Sequence, residues 1–149
     1  MAKYPEQNLK TEWIYDGITP DAVEWTKSFG EFLTKKQNEI KPLTTGQLRK
    51  FFGEIKRIES NVEKYRNDIA MLKPLLAYAV GRDTIKYNKK GQNIINNKTH
   101  IKEFAEEVEK GIDAVLNGKN LKSDFNNFVK IIEAIVAYHK YYGGQENNN

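Results

Sequence analysis

The chain has no cysteine among its 149 residues. That excludes a disulfide framework, a thiolate metal site and a cysteine nucleophile, and it suits a reducing compartment. Histidine is scarce as well, with His100 and His139 the two present. No His-Glu-x-x-His, no Gly-x-Ser-x-Gly, no phosphate-cradling glycine-rich loop and no dinucleotide fingerprint occurs, so the convergent polar groups that an enzyme needs are missing. No catalytic residue, metal site or cofactor is expected. Long apolar runs are also lacking: none reaches the length of a bilayer span, and the first residues hold no stretch resembling a signal peptide. A soluble cytoplasmic protein without a membrane partner is expected.

What is present is charge and helical periodicity. Bases outnumber acids by 24 to 20, for a formal charge of +4 and a pI near 9.1. So small an excess matters only where it is clustered. A hydrophobic fraction of 39% with 11% aromatics is enough for one core around several helices.

The stretch from Leu43 to Ile58 is the most informative. Thr44 with Gln47 forms a capping box, and Leu43 before it is placed to meet Leu48 as a hydrophobic staple. Leu48, Phe51, Phe52, Ile55, Ile58 and Val62 then recur as one apolar stripe. At roughly 100° per residue, Arg49, Lys50, Gly53, Lys56 and Arg57 fall on the opposite side. Arg suits phosphate because its planar fork makes two hydrogen bonds to one group.

Elsewhere, Thr19-Pro20-Asp21 starts a helix carrying Val23, Phe29, Phe32 and Leu33. Ile69, Leu72, Leu75, Leu76, Ala79 and Val80 form another pattern, which Pro74 kinks or divides and Gly81 stops. Thr99 caps a helix with Ile101, Phe104, Val108, Ile112 and Val115 on one side, and with Glu103, Glu106, Glu107 and Glu109 read as its acidic, solvated face. The densely apolar run from Phe125 to His139 reads as the central helix. Residues 82–98, rich in Lys, Asn and Gly without a clear period, read as a mobile basic loop. The fold expected is all-α, a compact antiparallel bundle of about five helices, arranged as a flexible N-terminal arm over 1–18, one bundle domain over 19–144 and a disordered tail over 145–149. His139 reads as a satisfied, partly buried imidazole and His100 as a surface residue.

Two segments, Leu43 to Ile58 and Phe128 to Gly144, with Leu72-Lys-Pro-Leu-Leu-Ala-Tyr-Ala-Val-Gly-Arg82 between them, resemble the small subunit of the type III-A CRISPR effector, the Csm ribonucleoprotein that recognises foreign RNA in defence against viruses and plasmids. The resemblance implies a non-catalytic, all-helical subunit whose copies self-associate, as a short filament or a dimer, alongside the backbone and large subunits. It also implies backbone contacts to guide RNA and target RNA without base reading, since cleavage and cyclic oligoadenylate synthesis belong to other subunits. The matching basic positions are Arg49, Lys50, Lys56 and Arg57 in the first segment, Lys73 and Arg82 in the middle one, and Lys140 in the last. The competing reading is a helical interaction module whose basic face binds acidic protein surfaces, such as the Glu103 to Glu109 face of another copy. A helix-turn-helix regulator is a third reading, but it lacks an evident recognition helix.

Overall fold

The computed structural model describes residues 4, 5 and 7–144, with the backbone alone at 85–89 and 93–96. Among the described residues, six helices and two strands follow in order: α1 (Thr11–Tyr15), α2 (Pro20–Leu33), α3 (Thr45–Glu59), α4 (Arg66–Arg82), β1 (Thr84–Lys89), β2 (Gln92–Asn97), α5 (Ile101–Asn117) and α6 (Leu121–Tyr141). The fold is all-α, with one hairpin inserted between α4 and α5. α6 lies at the centre and packs against α1, α2, α3 and α5, while α4 lies outside, across α3 and α5.

Local chemistry sets the starts of α2 and α3, whereas α5 begins after His100, one residue beyond the cap expected at Thr99, and His100 supplies no side-chain cap. Thr44 Oγ1 accepts from Gln47 N at 3.1 Å and Gln47 Oε1 accepts from Thr44 N at 2.9 Å, closing the capping box of α3. Thr19 accepts from Ala22 N at 3.2 Å ahead of Pro20, the first residue of α2. The core is built from Phe29, Phe32, Leu33, Leu48, Phe51, Ile55, Phe104, Ile112, Phe125, Phe128 and Ile132, all buried. Val23, expected on the apolar stripe of α2, is 38% exposed. Two glycines let helices approach closely. A Cβ on Gly30 would lie 2.7 Å from that of Tyr138 on α6, and one on Gly111 would lie 2.8 Å from the Phe128 ring.

Three expectations are corrected. The segment read as a flexible arm is docked: Leu9, Trp13 and Ile14 are buried, Trp25 Nε1 donates to Gln7 O at 2.8 Å, and Asn127 donates to Ile14 O at 2.9 Å. Its anchor is Glu107, which accepts from Leu9 N at 3.0 Å, from Lys110 at 3.0 Å and from the Tyr4 hydroxyl. Glu107 is therefore 1% exposed and not part of a solvated acidic face, and burial, followed by the hydrogen bond to the same carboxylate, drives the Tyr4 hydroxyl's pKa far up. Finally, residues 84–97 form an antiparallel ribbon in place of a loop, closed by Lys90 and Gly91 at φ 54° and 77°. Positive φ at both central residues is the tight turn that matches strand twist. The tail at 145–149 lies outside the described residues.

Candidate nucleic-acid interface

The outer face of α3 is exposed but balanced. Lys56 Nζ lies 2.6 Å from Glu59 and 3.6 Å from Glu133 on α6. Arg57 Nη2 sits 2.6 Å from both Glu54 and Asp68, while the guanidinium stacks 4.6 Å over the Tyr65 ring. Arg49 also has a partner within the chain, and Lys50 is exposed. The four bases of this face thus share it with Glu54, Glu59, Asp68 and Glu133. The Glu59 hydrogen bond raises the Lys56 pKa, and the bond to Glu54 followed by that to Asp68 raises that of Arg57. On α4, Lys73 is held 2.8 Å from Asp113, which raises its pKa as well. The reading of α3 as a basic face is corrected: Glu54 is the one acid within the stretch, but tertiary structure adds carboxylates from α4 and α6.

The other sequence-selected bases, Arg82 and Lys140, lie elsewhere. Arg82 ends α4, Lys140 is in the last turn of α6, and both are exposed. Backbone hydrogen bonds gather these ends at one pole. Lys41 N donates to Lys98 O at 2.8 Å, His100 N to Lys41 O at 3.1 Å, and Lys98 N to Asp83 O at 2.9 Å. Gln47, in the capping box of α3, donates to Thr99 Oγ1 at 3.1 Å, and Thr99 in turn donates to Asp83. Next to Lys140, the His139 ring meets Leu43 O at 2.7 Å, and His100 meets Lys35 O at 2.7 Å. Both imidazoles are 1% exposed, and each must donate through Nε2 because a carbonyl only accepts. Burial lowers the His139 pKa, helped by the charge on Lys140. The two rings therefore pin the connection between α2 and α3 to the ends of α5 and α6. For His100 this corrects the surface placement.

Charge at this pole is predominantly basic, although Glu103 Oε1 lies 2.7 Å from the His100 ring. Segment 35–41 holds Lys35, Lys36 and Lys41 against Glu39, and segment 82–98 holds Arg82, Lys86, Lys89, Lys90 and Lys98 against Asp83 alone. Asp83 is 8% exposed and occupied by Thr99 N and Oγ1 at 2.9 and 3.0 Å, so its charge faces inward. Among the described residues, Lys41, Lys50, Arg82, Lys90, Lys98 and Lys140 form no ion pair. Lys41 and Lys98 escaped sequence selection because they lie in connections that nothing in the sequence joins. Such an end attracts polyanions through phosphate contacts and counterion release.

A depression of about 540 Å³ between the end of α3 and the start of α6 is lined by Glu59, Val62, Lys122, Ser123, Phe125 and Asn126, without a histidine or a carboxylate pair. Among the described residues no three His, Asp or Glu side chains converge as metal ligands, and no helix is long and apolar enough to cross a membrane.

The family model described as Csm2 Type III-A matches residues 21–145. No curated protein and no solved structure matches the chain.

Proposed function

The chain belongs to the Csm2 Type III-A family, the small subunit of the type III-A CRISPR effector, and from that premise we propose that it is a non-catalytic cytoplasmic subunit that lies in several copies along the guide and target RNA and holds the sugar–phosphate backbone. The observation that carries this reading is the predominantly basic charge at the pole where the backbone brings Arg82, Lys98 and Lys41 together, with Lys140 on the nearby end of α6. These side chains reach phosphate without first leaving a carboxylate. Arg49, Lys50, Lys56, Arg57 and Lys73 form a secondary surface: exposed ion pairs are worth only about 0–1 kcal/mol, so phosphate competes for them, but each exchange frees a carboxylate that repels the strand.

Contacts of this kind read no bases, and sequence selection is left to pairing within the guide–target duplex. A single copy binds weakly, and alignment of several copies on one strand supplies the avidity. Exposed positions of α4 from Ala70 to Gly81 are all uncharged and include Met71 and Tyr78, 61% and 64% exposed. That face suits packing against a neighbouring copy better than against RNA.

The test is crosslinking of the assembled ribonucleoprotein with target RNA, with adducts mapped to residues. Adducts at Lys41, Arg82, Lys98 or Lys140 are expected. RNA adducts confined to other subunits, together with loss of assembly on reversing these charges, would instead favour a module that binds acidic protein surfaces.

A further inference from the structure

The ribbon Thr84–Asn97 has no evident purpose within the chain. Among the described residues its two strands form a sheet only with each other, neither outer edge is joined by a third strand, and no helix packs extensively on either. A lone hairpin is marginal in water, and ordering its backbone costs about 1–2 kcal/mol per residue. A helix-to-helix connection in a bundle needs only about 2–8 residues, and the ends of the ribbon are already adjacent, with Lys98 N on Asp83 O at 2.9 Å. The extra length therefore builds something that projects. Strands of six residues reach roughly 20 Å.

Its composition says what it meets. Lys86, Lys89 and Lys90 lie between Thr84 and Asn97, and that interval holds no Asp or Glu. Lys89 and Lys90 stand at the turn, where the positive φ of Lys90 and Gly91 gives a tight tip, and Lys90 is exposed. Arg82, Lys98 and Lys41 ring its base. Along the edges, backbone N–H and C=O groups that no third strand takes up alternate. They complement the ribose 2′-hydroxyl, which both donates and accepts.

Building on the function proposed above, we infer that the ribbon is an RNA-gripping finger whose lysine turn seats against phosphates while a free edge hydrogen-bonds 2′-hydroxyls of the strand held in the complex. The finger distinguishes RNA from DNA without reading sequence.

The experiment uses the assembled complex with two variants of this subunit: residues 85–96 replaced by a short Gly-Ser link, and Lys86→Gln with Lys89→Gln and Lys90→Gln. Both are expected to assemble, to lose RNA crosslinks at the ribbon and to bind target RNA roughly tenfold more weakly at moderate salt, with a slope of log affinity against log salt reduced by about two. Replacing the bound strand's ribose by deoxyribose should weaken the parent complex more than the shortened variant. Unchanged affinity and salt slope in both variants would overturn the finger, and so would failure of the shortened chain to assemble while the glutamine variant binds RNA normally, which marks a protein-docking edge. If adducts persist at Arg82, Lys98 and Lys140 while the ribbon proves inert, only the finger falls. If that whole end yields no adducts, the functional reading falls with it.

Discussion

The outer face of α3 and the pole at the ribbon's base read alike in sequence, as clusters of Lys and Arg, yet the fold treats them in opposite ways. On α3, the fold brings Glu133 from α6 and Asp68 from α4 to lysine and arginine, and the face is neutralised. At the ribbon, the one local acid, Asp83, is turned inward to hold Thr99. The difference teaches that a basic cluster keeps its net charge only where the rest of the chain withholds carboxylates from it.

The sharpest way to break this comparison is charge reversal in the assembled complex. Arg82→Glu with Lys98→Glu and Lys140→Glu should lower target-RNA affinity by about 100-fold near physiological salt, because roughly three phosphate contacts become repulsive. Filter binding across a salt series checks the figure. An equal loss from Lys56→Glu with Arg57→Glu would dissolve the distinction.

Acid should act on the pole through His139. Its folded pKa lies below the ordinary value near 6.5, so the unfolded chain binds the proton more readily. The stability that depends on a neutral ring is complete above that value and declines as pH falls below it, by at most about 1.4 kcal/mol per pH unit, until the folded pKa is reached. Chemical denaturation between pH 7 and 5 should show the slope, and His139→Gln should flatten it. Hydrogen exchange at Leu43 should accelerate over the same range before exchange within α3 does.

Reversing Lys56 and Arg57 should change RNA affinity only about threefold, since their charges are already spent on carboxylates. The smallest effect sharpens the comparison from the other side. Glu59→Gln with Glu133→Gln frees Lys56, and RNA affinity should rise about twofold. No gain would mean that α3 faces away from the strand.

The starts of α2 and α3 and the core stripes were legible because they are local: the Thr44–Gln47 box lies within four residues, and Leu48, Phe51 and Ile55 repeat at the helical period. The compensation of α3 was not, because Glu133 lies far along the chain from Lys56. The ribbon hid behind its composition. Lys90-Gly91 between Thr84-Ile85 and Ile94-Ile95 is a usable hairpin signal, but adjacent isoleucines break the alternation that marks a half-buried strand. The docked N-terminal segment was too short to show a period, and its partner, Glu107, looks in sequence like one more surface acid.

That buried carboxylate carries a consequence for biogenesis. Leu9 and Tyr4 leave the ribosome about 100 residues before Glu107 does, and at about 5–20 residues per second Trp13 and Ile14 wait several seconds or longer for α5 and α6 to cover them. This stretch is made well before α5 and α6 yet is seated only with them, so the nascent chain carries an uncovered tryptophan until α6 emerges, open to capture by a holding chaperone.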